Sequence, residues 1–352
     1  MSVPLNPSPS VLLCARDVRH GGGVAALASQ LVAASNGQLD LQHIGRAYPN
    51  GWSLGVFGDP KRLRAHLRAS PSLGCVVLNP SARSRAIVRD AALARVVLSE
   101  GRRLVVWWHG RSASLVSKTH LGWARILRWG FGSASGHLVL TDEMAAWVSS
   151  WSPDAQVARV MTAWDPLLTG GRIAALTDES PWLYLGRLHA DKGLWDAIDT
   201  LKYEPKRRLL IAGDGPEAWR LEKRIDSGAD GGRLRWIGHV TGEEKAQAIL
   251  GAKGLLLPSY GEGAPLVVLE AMGAGLPVVG YDVGAVSEMV ERAGHVVATG
   301  DRGALQAAMS SVESDLEGRR LQGTIGRERA ARWTARAAVD RLMEAVRANA
   351  DA

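Results

Sequence analysis

Gly254 to Gly280 reads GLLLPSYGEGAPLVVLEAMGAGLPVVG, and its order predicts strand, loop, helix, turn and strand. Leu255, Leu256 and Leu257 make a short apolar run that Pro258 stops, and Ser259, Gly261 and Gly263 supply a loop. Pro265 falls where a helix would have its first residue, a position at which its fixed φ and missing N–H cost nothing. From there to Met272 the residues favour helix apart from Val267 and Val268. Gly273 and Gly275 end the helix, and Pro277-Val278-Val279 opens the next buried strand.

Glu262 in the loop and Glu270 in the helix frame this unit. A helix N-terminus behind a glycine-containing loop is an anion site, because its first N–H groups have no intrahelical partner. A carboxylate beside it would repel a bare phosphate, so Glu262 suits hydroxyl groups next to the phosphate. Glu270 suits the two hydroxyls of a ribose. Diphosphate at the helix end with one carboxylate per sugar describes a nucleotide-sugar. An ordinary βαβ turn with two solvated glutamates fits the spacing as well.

Elsewhere the chain repeats an α/β pattern. Apolar runs at Val11–Leu13, Leu41–Ile44, Cys75–Leu78, Leu104–Trp108 and His137–Leu140 read as strands with helical stretches between several of them. Polar or glycine-containing segments follow each run, at the sheet edge where α/β proteins keep their ligands. These include a glycine triplet ending in Gly22 and Gly23, the segment Asn79 to Arg85 with Arg89 beyond it, and His109-Gly110-Arg111-Ser112. In the second half, Trp182–Leu185 runs into GRLHADKG (Gly186 to Gly193), and Leu209–Ala212 into GDGPE (Gly213 to Glu217). Arginine can bridge two phosphate oxygens with its planar fork and lysine adds a compact charge, so Arg187 and Lys192 suit a diphosphate. Surface cations would read the same way.

Taken together, PSYGEGAPLVVLEAMGAGLPVV, the G-R-L-x-x-x-K-G run and the G-D-G-P-E turn resemble glycosyltransferase family 4. That family comprises retaining enzymes of GT-B fold. The resemblance implies an α/β chain of two Rossmann-like parallel-sheet domains facing a central cleft, with a C-terminal helix crossing back to the first domain. The boundaries expected are 1–165 for an acceptor-binding domain, 166–180 for a linker, 181–330 for a nucleotide-sugar-binding domain and 331–352 for the returning helix. It further implies that Glu262 and His109 meet the donor hexose and that Arg187 and Lys192 clamp the diphosphate. Gly22, Gly23, Gly213, Gly215, His239, Gly263, Ala264, Pro265, Leu266 and Glu270 would line the rest of the donor. No metal and no cofactor is expected, since the two cations meet the charge of the leaving diphosphate. Many relatives carry an Asn-Gly pair where this chain has Thr162-Ala163-Trp164-Asp165.

At 352 residues and 46% hydrophobic content the chain can bury two cores. No apolar run approaches the roughly 18 residues of a membrane span, and the opening residues lack a secretory signal. Cys14 and Cys75 sit in apolar runs and read as buried free thiols of a reducing cytoplasm. From Met1 to Asp165, 18 Lys and Arg stand against 9 Asp and Glu, while the remainder is nearly balanced. A basic first half expects an anionic partner: a membrane surface, a lipid-linked acceptor or nucleic acid. Lys61, Arg64 and Arg68 share helical spacing, and HLGWARILRWGF (His120 to Phe131) mixes Trp and Leu with Arg125 and Arg128, as headgroup-binding helices do. No recognised nucleic-acid motif is present. The expectation is a cytoplasmic retaining hexosyltransferase, peripheral on the inner face of the cell membrane, that uses a UDP- or GDP-sugar and a glycolipid or polysaccharide-precursor acceptor. The alternatives are a nucleotide-sugar epimerase or hydrolase of the same fold and a nucleic-acid-modifying glycosyltransferase. Arg327 to Ala348, free of proline and glycine, is expected as one long helix.

Overall fold

Short runs of valine, leucine and isoleucine without polar alternation need both faces covered, which is how parallel strands between two helical layers read. The computed structural model describes residues 10–15, 23–43, 55–80, 84–109 and 122–348. In it these runs form two six-stranded sheets, all of whose pairings are parallel. The chain divides into two compact units, 1–162 with 335–352, and 163–334.

In the first unit the strands are β1 (Ser10–Ala15), β2 (Leu39–His43), β3 (Leu73–Leu78), β4 (Arg103–Trp108), β5 (Gly136–Val139) and β6 (Val157–Arg159). Their order is β2-β1-β3-β4-β5-β6. Helices α1 (Gly23–Ala34), α2 (Gly55–Ala69), α3 (Ser84–Ser99), α4 (Ala124–Phe131) and α5 (Asp142–Trp151) connect them. Cys14 and Cys75 are buried free thiols, and burial pushes them up to about 12 and about 11. Neither is a thiolate near neutral pH.

The second unit holds β7 (Trp182–Leu185), β8 (Leu209–Ala212), β9 (Leu234–Trp236), β10 (Gly254–Leu257), β11 (Val278–Tyr281) and β12 (Gly294–Val297), in the order β12-β11-β10-β7-β8-β9. Its helices are α6 (Leu194–Asp199), α7 (Ala218–Asp226), α8 (Gly242–Leu250), α9 (Leu266–Gly273), α10 (Val286–Val290), α11 (Arg302–Ser314) and α12 (Leu316–Ala330). Leu255, Leu256 and Leu257 are buried in β10, which lies between β11 and β7 and pairs with both.

Two expectations are corrected. Pro265 does not begin the helix: it is extended, with φ −70° and ψ 122°, and α9 starts at Leu266. The far end behaves as read. Gly275 has φ +81°, and the Leu276 and Gly275 amides bond back to Ala271 and Met272 in a Schellman closure. The second correction is at Arg327 to Ala348, which is two helices. Residues to Ala330 finish α12, Ala331–Trp333 make a 3₁₀ turn, Thr334 is extended, and α13 (Ala335–Ala348) follows. The cause is tertiary. The indole of Trp164 donates to Ala330 O at 2.9 Å, its amide donates to Trp333 O at 3.1 Å, and Thr334 pairs with it as a short parallel bridge. Those contacts compete with helical bonds that propensity alone would favour. Helix α13 belongs to the first unit, where Arg103 donates to Val346 O at 3.0 Å.

Candidate functional site

In the second sheet the chain runs from β7 outward through β8 and β9, then returns to β10 on the other side of β7 and runs outward through β11 and β12. The order reverses between β7 and β10, and such a switch point opens a crevice beyond the C-terminal ends of the two strands. Both motif loops lie there, GRLHADKG after β7 and PSYGEG after β10.

The two loops are stitched together. The Tyr260 amide donates to Asp191 O at 2.8 Å, and Lys192 Nζ donates to Gly261 O at 2.8 Å. The same ammonium is 2.8 Å from Glu262 Oε1, both side chains being about 15% exposed. Gly193 has φ +64°, and a Cβ there would run into the Pro258 carbonyl oxygen, so the loops can meet only with glycine at this position. Below them Asp196, 4% exposed, gathers three donors: Tyr260 Oη at 2.6 Å, Tyr281 Oη at 2.9 Å and Arg302 Nη2 at 2.6 Å. Burial and the bond to Asp196 push the Tyr281 phenol up, so it stays a donor. From behind, Gly284 lies against the Glu262 and Gly263 carbonyl oxygens, and Gly263 O accepts the Ala285 amide at 2.7 Å.

Around this core the predicted residues fall as follows. Arg187 is exposed, and its guanidinium makes no hydrogen bond or ion pair with another described residue. Its carbonyl is fixed by Tyr184 Oη at 3.0 Å. Gly263 and Ala264 are half-buried and lead to Pro265 and Leu266 at the start of α9, where no side chain caps the helix. The Val268 amide turns back to Pro265 O at 3.1 Å, and the Leu266 and Val267 amides keep their outward bonding capacity. Gly213 and Gly215 serve the backbone: a Cβ at either would strike the carbonyl oxygen of Gly186 or Leu188. The Gly213 amide donates to Gly238 O at 2.6 Å, and the Trp236 indole donates to Gly213 O at 2.9 Å. The GDGPE turn is thus a support beneath the GRL turn. His239 is exposed after β9.

Glu270 is buried in α9, and its partner is one the sequence reading missed. Lys245 Nζ of α8 lies 2.5 Å from Glu270 Oε1. No motif marks Lys245; the only clue is that a carboxylate on the buried face of a helix needs a cation.

On the first unit, His109 follows β4, with Nε2 3.0 Å from Asn79 Oδ1 and its ring centroid 4.4 Å from that of Trp107. Burial lowers its pKa to about 3, so the imidazole is neutral at ordinary pH. Below the usual histidine value the unfolded chain takes the extra proton, so stability contributed here is lost as pH falls towards 3. Gly23 is the exposed first residue of α1, and Gly22 lies outside the described residues. Arg89 is buried and paired with Asp90 at 2.6 Å.

The two basic stretches differ. Leu63 and Leu67 bury one face of α2, but its arginines are committed: Arg64 and Arg68 pair with Glu100 at 3.0 and 2.9 Å, and Arg62 with Asp59. On α4, Arg125, Arg128 and Trp129 are exposed, Trp129 by 56%, with the Arg95 guanidinium 6.0 Å from its ring centroid. Among the described residues no helix is long and apolar enough to cross a membrane, and no three His, Cys, Asp or Glu side chains form a metal-holding group.

Residues 180–315 match the family model described as Glycosyl transferases group 1. The chain is 31% identical over 140 residues to the O-antigen chain mannosyltransferase B of Escherichia coli, an alignment covering 38% of this chain and 37% of that protein. Matches to the curated relatives span about a third of their length. Among solved structures, the sucrose-phosphate synthase of Thermosynechococcus elongatus superposes with a TM-score of 0.77 at 19% identity, covering 96% of this chain and 98% of that one. Anabaena Alr3699/HepE in complex with UDP superposes at 0.76 and 16% identity, covering 96% and 100%. The chain therefore has the two-domain α/β fold of the GT-B glycosyltransferases, and its second unit carries the region matched by the group 1 family.

Proposed function

We propose that the protein is a retaining glycosyltransferase that moves a hexose from a nucleoside diphosphate sugar to a hydroxyl of a glycolipid or polysaccharide-precursor acceptor. The observation that carries this reading is the stitched pair of loops at the switch point of the second sheet. Arg187 has no side-chain partner among the described residues, Lys192 and Glu262 are side by side, and an uncapped helix start completes the same crevice edge. Arg187, Lys192 and the α9 amides hold the diphosphate, Glu262 meets the hexose and Glu270 the ribose. On the first unit, neutral His109 gives its Nε2–H to Asn79 Oδ1, which leaves Nδ1 to accept from a sugar hydroxyl.

Transfer breaks the bond between the anomeric carbon and the diphosphate oxygen and forms one from that carbon to the acceptor oxygen. The acceptor proton passes to the departing phosphate, on the same face. The charge that grows on the phosphate is met by the two cations and the helix start, so no metal is needed. The test is to incubate the protein with UDP-, GDP- and ADP-sugars and glycolipid acceptors, follow nucleoside diphosphate release and read the new anomeric proton by NMR. Retention, at a rate unchanged by EDTA, is expected. Inverted product, free sugar alone or an epimerised donor would overturn the reading.

The acceptor is placed at a membrane surface, with the protein cytoplasmic and peripheral. Because the α2 arginines are already paired, α4 is the contact surface. Anionic liposomes should bind the protein more than neutral ones, in a salt-sensitive way. Arg125→Glu with Arg128→Glu should remove most of that binding, and Arg64→Glu with Arg68→Glu less of it. Equal binding to both lipids would point to a water-soluble acceptor.

A further inference from the structure

Glu270 is 2% exposed, and removing a carboxylate from water is costly unless a countercharge compensates. Lys245 supplies it across two helices, from α8 to α9, at 2.5 Å. The acidic residues beside Lys245 do not compete for it. Glu243 is held through both oxygens by Arg172 at 2.8 Å, and Glu244 is exposed. The ammonium engages Oε1 alone, and no other described residue donates to this carboxylate.

Resting on the donor reading above, we infer that Lys245 is a positioning residue for the ribose subsite. By pinning one oxygen of Glu270 it fixes the plane of the carboxylate and leaves the second oxygen to accept the ribose hydroxyls. Lys245 itself need not touch the nucleotide. A side chain held this way loses little rotamer freedom when the ligand arrives, so more of the hydrogen-bond strength appears as affinity. Recognition of the ribose should then depend on Lys245, and recognition of the diphosphate should not.

The experiment titrates the full chain calorimetrically with UDP, GDP and ADP, then with the 2′-deoxy counterpart of the tightest binder. Wild type is expected to prefer the ribonucleotide about tenfold, the scale of a hydrogen bond to a charged group. Lys245→Met should remove most of that preference, Lys245→Arg should restore most of it, and Lys245→Met should add nothing in a Glu270→Gln background. Circular dichroism and melting curves confirm that each variant is folded. If Lys245→Met keeps the wild-type preference, or weakens both nucleotides equally, the positioning role is wrong and the donor reading stands. A wild type that binds nucleotide without preferring ribose overturns the roles of Glu270 and Lys245 together. A wild type that binds no nucleoside diphosphate overturns the donor reading and the inference alike.

Discussion

Lys192→Ala is expected to lower kcat/KM for sugar transfer by about 10²- to 10³-fold, the usual effect of removing one donor aimed at developing charge. Lys192 does two things in this fold. It ties the β10 loop to the β7 loop through Gly261 O, and it places a cation beside Glu262 at the crevice edge. Alanine removes both. Stability should change little, since a part-exposed ion pair contributes only about 1 kcal/mol or less, and the Asp191–Tyr260 and Asp196–Tyr260 bonds still hold the loops together. Lys192→Arg should recover part of the activity, because the charge returns but the reach to Gly261 O changes. Activity within twofold of wild type in Lys192→Ala, with the true donor in hand, would remove this loop from the site.

Much of the second unit was legible in its sequence because its signals are local. The leucine run of β10, the turn at Pro258 and the glycine closure of α9 each depend on a few consecutive residues. The structure shifts only the helix start, since Pro265 takes an extended ψ. What was illegible depends on partners far along the chain. Lys245 meets Glu270 across 25 positions, and Asp196 meets Tyr260 and Tyr281 across 64 and 85. The break before α13 follows the same rule. Nothing between Arg327 and Ala348 forbids a helix, and the interruption comes from Trp164 competing for the backbone of Ala330 and Trp333. The glycines of GDGPE illustrate a further gap. The resemblance implies that they line the donor, and the fold adds a role that no motif announces, the close approach of Gly186 and Leu188. Charge counting likewise gave the first unit its basic excess without showing that Glu100 already occupies two of the α2 arginines.

Glu262→Gln gives the most direct test that these stitched loops are a donor-sugar site. Glutamine keeps the size and an acceptor oxygen but removes the charge that would favour the positive anomeric carbon. Transfer should therefore fall about a hundredfold in kcat. Nucleotide binding should respond in the opposite sense. Glu262 pairs with Lys192 at 2.8 Å, and losing that carboxylate frees the ammonium for phosphate. The measurement sets kcat beside the calorimetric Kd for the nucleoside diphosphate, on wild type and Glu262→Gln. A large loss of kcat is expected, with a Kd equal to or tighter than wild type. Wild-type kcat in the variant, or a Kd weakened as much as kcat, would contradict it.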